Sequence, residues 1–313
     1  MAIELLKEKW PGVINQVKVG ARRVIAVGGE NSLPFLHEEG IMAHKPVVAF
    51  EIWDVEPGDW PASLVSAYGQ AFKNPSELAK KCAEEYGADL VCIKLAAAHP
   101  DMGNKTIEQE VDFVKKIRNS VGIPLIITGC GDAAKDNLVL PAVSQALKDE
   151  NCLIGSVTQD NYKTITAACL ADGHSIIAES PIDINIAKQL NILISDMGMP
   201  AERIVINPTV GALGYGLEYA YSIMERARLA ALSGDKMLAM PFICFVGQEA
   251  WRTKEARATV AETPEWGLAE ERGIIWEALT AAAFLQAGAD ILVMRHPKAI
   301  EIIKKNIGEL MQK

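Results

Sequence analysis

A closed (β/α)8 barrel of the TIM type, with a short N-terminal hairpin extension in front of it, is the fold this sequence predicts. Two features point there. Eight short, nearly uninterrupted apolar runs recur along the chain, which is how strands buried on both faces of a parallel sheet read. Between consecutive runs lie amphipathic stretches with helix start and stop signals, the mark of one α/β unit used repeatedly.

In order, the runs occupy residues 46–52, 88–95, 124–128, 152–157, 175–178, 203–206, 241–246 and 289–294. Asn74 before Pro75 places an N-cap ahead of a proline at the first helical position. Thr106 and Gln109 have capping-box spacing, which satisfies two exposed N–H groups at once. Asp132, Asp160 and Asp183 stand where the next three helices begin and read as caps. Gly87-Ala88-Asp89 and Gly288-Ala289-Asp290 each close a helix and open a strand. Eight units in residues 45–313 match the usual size of such a barrel. The rival is an open doubly wound sheet, and its glycine fingerprint does not follow the first strand. Residues 1–44 read as an appended hairpin with strands in 17–20 and 24–29. Neither a linker nor a second domain is expected.

Composition narrows the function. Half the residues are hydrophobic and 23% are charged, as in an ordinary globular chain. Net charge is −9 and Lys/Arg blocks are missing, which excludes a nucleic-acid footprint. No apolar run approaches the roughly 20 residues of a membrane span. Residues 1–10 alternate charge with Leu and Ile, unlike a signal peptide. The chain is therefore expected to be cytoplasmic. Its six cysteines are scattered, never at C-x-x-C spacing. Buried reduced thiols are expected, with no metal bound by this chain.

The working face of a barrel is the C-terminal end of its strands. Polar residues cluster there: Glu51 to Asp54, His99 and Asp101, Thr128 to Asp132, Thr158 to Asn161, Ser180 to Asp183, and Asn207 with Thr209. Asp132 serves equally as a cap or as a ligand contact. The 211–216 loop holds Gly211, Gly214 and Gly216, more glycine than a turn needs, and so suits close approach to a ligand or partner. It lacks the Lys and Ser/Thr of a phosphate loop. Arg295-His296 ends the last strand, and a buried cation there calls for an acidic or anionic partner; His296 equally fits a structural role. The 247–270 connection carries Trp251, Trp266, Arg252, Lys254 and Arg257, with Arg272 nearby. It reads as a lid or docking surface, or as a solvated loop anchored by one Trp. Five histidines are present, none in a nucleophile elbow, so no catalytic residue is expected.

Several stretches carry a resemblance. They are 79–89, Gly129-Cys130-Gly131-Asp132, 183–194, 207–219 (from Asn207-Pro208-Thr209 through Gly214-Tyr215-Gly216), 222–226 and 292–297. Together the sequence resembles the small (delta) subunit of the corrinoid iron–sulfur protein of the acetyl-CoA decarbonylase/synthase (Wood–Ljungdahl) system, over essentially its whole length. The resemblance implies a heterodimer with a large subunit that carries the iron–sulfur cluster and a mobile cobalamin domain. It implies that a methyl group passes from methyltetrahydrofolate, through a methyltransferase, to acetyl-CoA synthase. The small subunit would be a barrel whose open end faces the corrinoid. The cobalamin signature Asp-x-His-x-x-Gly is absent: Asp172-Gly173-His174 comes nearest, with Ile177 where Gly is required. A cobalt–histidine bond from this chain is not expected. Amide-bearing corrin edges want hydrogen-bonding groups and the flat face wants glycine-backed approach. The expected contacts are therefore Asp132, Asn161, Asn207, Gly211, Gly214, Tyr215 and Arg295.

The rival from another class is a folate-dependent methyltransferase barrel, an enzyme in its own right. Such barrels place Asp and Asn at strand ends to meet the pterin. Here the second strand ends Leu95-Ala96-Ala97-Ala98-His99, and Asn207-Pro208 stands where Asp-Pro is expected. A pterin would be left with unmet buried polar groups. An unrelated sugar- or phosphate-processing barrel is a third option, because the fold hosts many functions.

Overall fold

A computed structural model describes residues 7–312. The first six positions of the segment read for a leader lie outside the described residues. The hairpin pairs β1 (Val17–Val19) with β2 (Ile25–Val27) antiparallel. Eight parallel strands then close on themselves: β3 (Val47–Trp53), β4 (Leu90–Lys94), β5 (Leu125–Thr128), β6 (Leu153–Val157), β7 (Ser175–Glu179), β8 (Ile204–Asn207), β9 (Phe242–Cys244) and β10 (Ala289–Met294), with β10 pairing back onto β3. Each predicted run overlaps one strand, with β3, β7 and β8 extending one residue beyond theirs. The helices are α1 (Ala62–Ser66) and α2 (Pro75–Glu84), α3 (Ile107–Ser120), α4 (Ala133–Ala146), α5 (Tyr162–Asp172), α6 (Ile184–Asp196) and α7 (Leu217–Leu232). Between β9 and β10 come α8 (Val246–Ala250), α9 (Lys254–Arg257) and α10 (Ala269–Gln286), and α11 (Pro297–Leu310) ends the chain.

Caps account for where the helices start. Asn74 accepts from the Glu77 N–H, and Thr106 and Gln109 form the reciprocal box. Asp132 accepts from the Lys135 N–H at 2.8 Å, and Asp183 from Asn185 and Ile186. Asp160 does not cap. Asn161 precedes α5 instead, and its Oδ1 takes the Thr158 N–H at 2.8 Å, which folds the turn after β6. The two Gly-Ala-Asp repeats pin strand register. Asp89 accepts from the Val48 N–H at 3.0 Å and Asp290 from the Phe242 N–H at 2.8 Å. Each carboxylate also meets a cation, Lys304 or Arg228, at 3.0 Å.

The hairpin plugs the barrel floor. Val17, Val19 and Val27 pack in one cluster with inward-facing Val47, Leu90, Leu153, Val205 and Ile291. The Gly20 N–H reaches Asn151 O and the Asn15 N–H reaches Ala239 O, both at 2.7 Å and just ahead of β6 and β9. Arg228, fully buried, joins Glu30 of the hairpin arm to Asp290 at the foot of β10 and lies over the Phe242 ring. Burial pushes the Glu30 carboxyl up to about 7, against the pull of Arg228. Among the described residues, the hairpin covers the floor and the strands' C-terminal ends frame an open mouth.

Candidate functional site

Period-two alternation builds the mouth. Inward rows run Val47-Ala49-Glu51, Leu90-Cys92-Lys94, Ile177-Glu179 and Val205-Asn207, each turning from apolar to polar at the last inward position. Above the apolar layers they frame a cavity of about 340 Å³, also lined by Thr128, Asp136, Ser156, Thr158, Asp160, Asn161, Thr209, Gln248 and Glu249. No His or Cys lines it.

Glu51 is held by Arg295 through two bonds, Nε to Oε2 at 2.9 Å and Nη2 to Oε1 at 3.0 Å. The Trp53 indole N–H donates to the same carboxylate. Burial opposes the charge on Glu51, but Arg295 and Trp53 outweigh it and keep its pKa below the ordinary range. The guanidinium sits 5.5 Å from the Trp53 ring centre and 4.6 Å from that of Trp60.

Both cavity asparagines are more than nine-tenths buried and fixed by hydrogen bonds within the protein. Asn161 accepts from Thr158 N–H and donates to Ser156 O. Asn207 accepts from Thr209 N–H and donates to Glu179 Oε2 at 2.9 Å. Asp136 takes the Cys130 and Gly131 N–H groups, which tightens the 129–132 turn.

The residues expected at the site divide into three groups. Asn161 and Asn207 line the cavity. Asp132, half-buried beside it, caps α4. Gly211, Gly214 and Tyr215 form the rim loop between β8 and α7. A side chain at Gly211 would meet Tyr215 O at 2.6 Å, and Gly214 holds φ +77°, so the loop's own closure uses both glycines. Tyr215 is 51% exposed and its hydroxyl accepts the Lys254 N–H. Arg295, 3% exposed, lies below the surface and reaches the mouth through Glu51.

Other polar features turn out to be structural. His296 caps α11 and stacks on Trp251, and burial pushes its pKa down to about 4, so it is neutral. The 247–270 connection carries α8 and α9, keeps much of its length exposed and is anchored by buried Trp251. Trp251 donates to buried Glu277 at 2.8 Å, and Arg272 clamps the carbonyls of Glu255 and Ala258. His174 is buried between the Cys152 N–H and Ser144 O, at a helix end before β7. Five cysteines are buried and Cys130 is half-buried, all as free thiols. Among the described residues no group of three or more His, Cys, Asp or Glu is placed to hold a metal, and no helix is long and apolar enough to cross a membrane.

Sequence reasoning missed Lys94 and Glu179, while Glu249 falls within the 247–251 segment that follows the seventh strand. The first two were findable: continuing the inward rows by two residues lands on them.

The family model of the CO dehydrogenase/acetyl-CoA synthase delta subunit matches residues 16–306. The chain belongs to this family. It is 34% identical to the acetyl-CoA decarbonylase/synthase complex subunit delta of Archaeoglobus fulgidus, across 98% of this chain and 70% of that protein. Identity to the delta subunit of Methanocaldococcus jannaschii is 31%, across 97% of this chain and 75% of the relative. Among solved structures, dihydropteroate synthase of Xanthomonas albilineans overlays with TM-score 0.59 at 13% identity, covering 90% of this chain and 98% of that one. That likeness concerns the barrel alone. The delta family and the sealed-floor, open-mouth barrel thus go together in this chain.

Proposed function

We propose that this delta-family chain is the small subunit of a heterodimeric methyl carrier, whose barrel mouth closes over one side of a cobalamin held mainly by a larger iron–sulfur subunit. The observation that carries the reading is the mouth itself. It gathers polar groups from six strands and α8, yet offers no histidine or thiol to a metal. Such a lining suits a ligand's periphery.

The residues fit the group in a limited way. A cavity of about 340 Å³ is at the lower end for even drug-sized ligands, so it accepts peripheral arms and not a macrocycle. Asn161, Asn207, Glu179 and Lys94 would hold those arms, with Asp132, Gly211, Gly214 and Tyr215 meeting the ligand at the rim. Arg295 keeps Glu51 ionised and oriented. When bound, cobalamin supplies the cobalt that carries the methyl group. This chain contributes shape, hydrogen bonds and water exclusion, and no independent active site. Family membership supports the wider scheme: a methyltransferase loads the carrier from methyltetrahydrofolate, acetyl-CoA synthase receives the methyl group, and the iron–sulfur cluster resides on the large subunit.

Co-purification from native extract, with the visible spectrum recorded, tests the proposal. The expected result is a larger partner and a cobalt absorbance with the pair, while the isolated chain is colourless. A chain that elutes alone and binds methyltetrahydrofolate by itself would instead establish the methyltransferase reading.

A further inference from the structure

Hydrogen-bond accounting of the mouth shows what remains for a ligand. Part of the donor set is engaged within the protein: Asn161, Asn207 and Gln248 each donate one of their two amide N–H groups, Thr128 donates to Ile93 O and Thr209 to Ser180 O. Glu51 and Asp136 are saturated by Arg295, Trp53 and two backbone N–H groups. Among the described residues, the carboxylate oxygens left over are those of Asp160, Glu179 Oε1 and Glu249 Oε2, the last on a carboxylate whose Oε1 already pairs with Arg252 at 3.1 Å. Against these stands one free cation, Lys94, which forms no ion pair within the described chain. The lining is thus acidic on balance and favours neutral arms that offer N–H groups over anionic ones.

We infer that the mouth selects corrinoids whose peripheral arms are amides over those whose arms are free carboxylates. The inference rests on the corrinoid reading above. A primary amide offers N–H to Glu179, Asp160 or Glu249 and its carbonyl oxygen to Lys94. A carboxylate arm at the same place has no donor and faces three like charges, of which Glu249 alone is paired, with Arg252, and Lys94 is the remaining cation. The same groups that recognise the finished cofactor reject its acidic biosynthetic precursors.

The test uses the complex of this chain with its large subunit, stripped of corrinoid, titrated by visible absorbance with two probes. Dicyanocobinamide has amide arms, and dicyanocobyrinic acid has seven carboxyl arms. The complex should bind cobinamide more tightly by roughly tenfold or more. Glu179→Gln with Asp160→Asn and Glu249→Gln in this chain should narrow that ratio by admitting the acid. Glu179→Gln alone gives the same sign should the triple variant fail to fold. Equal binding of both probes, or a ratio unmoved by the variants, overturns the selectivity and leaves the corrinoid reading standing. If neither probe binds, the corrinoid reading falls as well.

Discussion

The two ends of this barrel use polar residues in opposite ways. At the floor, Arg228, Glu30 and Asp290 lie buried together, tying the hairpin to α7 and β10. At the mouth, Lys94 and Asp160 line open space with no ion pair among the described residues, while Glu51 is held by Arg295 and Asp136 by two backbone N–H groups. Charge enclosed without a ligand is structural, and charge left unpaired in a cavity is available for binding. The difference teaches which carboxylates to associate with stability and which with function.

Perturbing each end separates the two roles. Arg228→Met leaves two buried carboxylates without their cation and should cost about 3–5 kcal/mol in denaturant unfolding. A smaller loss would mean the floor tolerates rearrangement. Glu110 sits fully buried beside Asp54 at the shoulder of the mouth, and burial, reinforced by the Asp54 charge, pushes its carboxyl up to about 8. The folded chain then keeps a proton that the unfolded chain releases, so this group's contribution is complete below the ordinary carboxylate range and is lost as pH rises toward 8. Glu110→Gln should flatten the fall in stability between pH 5 and 8 by at least about 1.4 kcal/mol, the equivalent of one pKa unit. An unchanged pH profile would place the proton elsewhere.

Effects at the mouth should be smaller on folding and visible in ligand retention. Asn207→Ala combined with Tyr215→Phe should weaken corrinoid retention by the heterodimer roughly tenfold, about 1.4 kcal/mol, without lowering the unfolding midpoint appreciably. Unchanged cobalt spectra would remove both from the contact surface. Asp132→Ala removes the α4 cap and should cost about 1 kcal/mol. Lys94→Met should change stability by no more than about 0.5 kcal/mol, in contrast with Arg228.

The sequence made the architecture readable because strands buried on both faces leave nearly uninterrupted apolar runs such as 125–128 and 289–294. The hairpin was equally visible, but its position was not: Val17 and Val27 reveal a buried face without saying that it meets Val47 and Val205. Cap-like residues were read well where the geometry is local, as at Asn74 and Asp183, and misplaced at Asp160, where the Asn161 turn prevails. Arg295 was recognised as needing an acidic partner. Its partner Glu51 lies 244 positions away, beyond any local pattern. Lys94 and Glu179 were passed over because a charge at the end of an apolar run reads as a solvent boundary, whereas strand parity turns both inward.

Hydrogen–deuterium exchange on the chain, alone and in the cobalamin-loaded heterodimer, tests the central claim most directly. The account predicts new protection in 156–161, 179–183 and 207–216 at the mouth, with the floor segments 14–30 unchanged. Protection confined to the floor or to the outer helices, with the mouth exchanging as in the free chain, would contradict it.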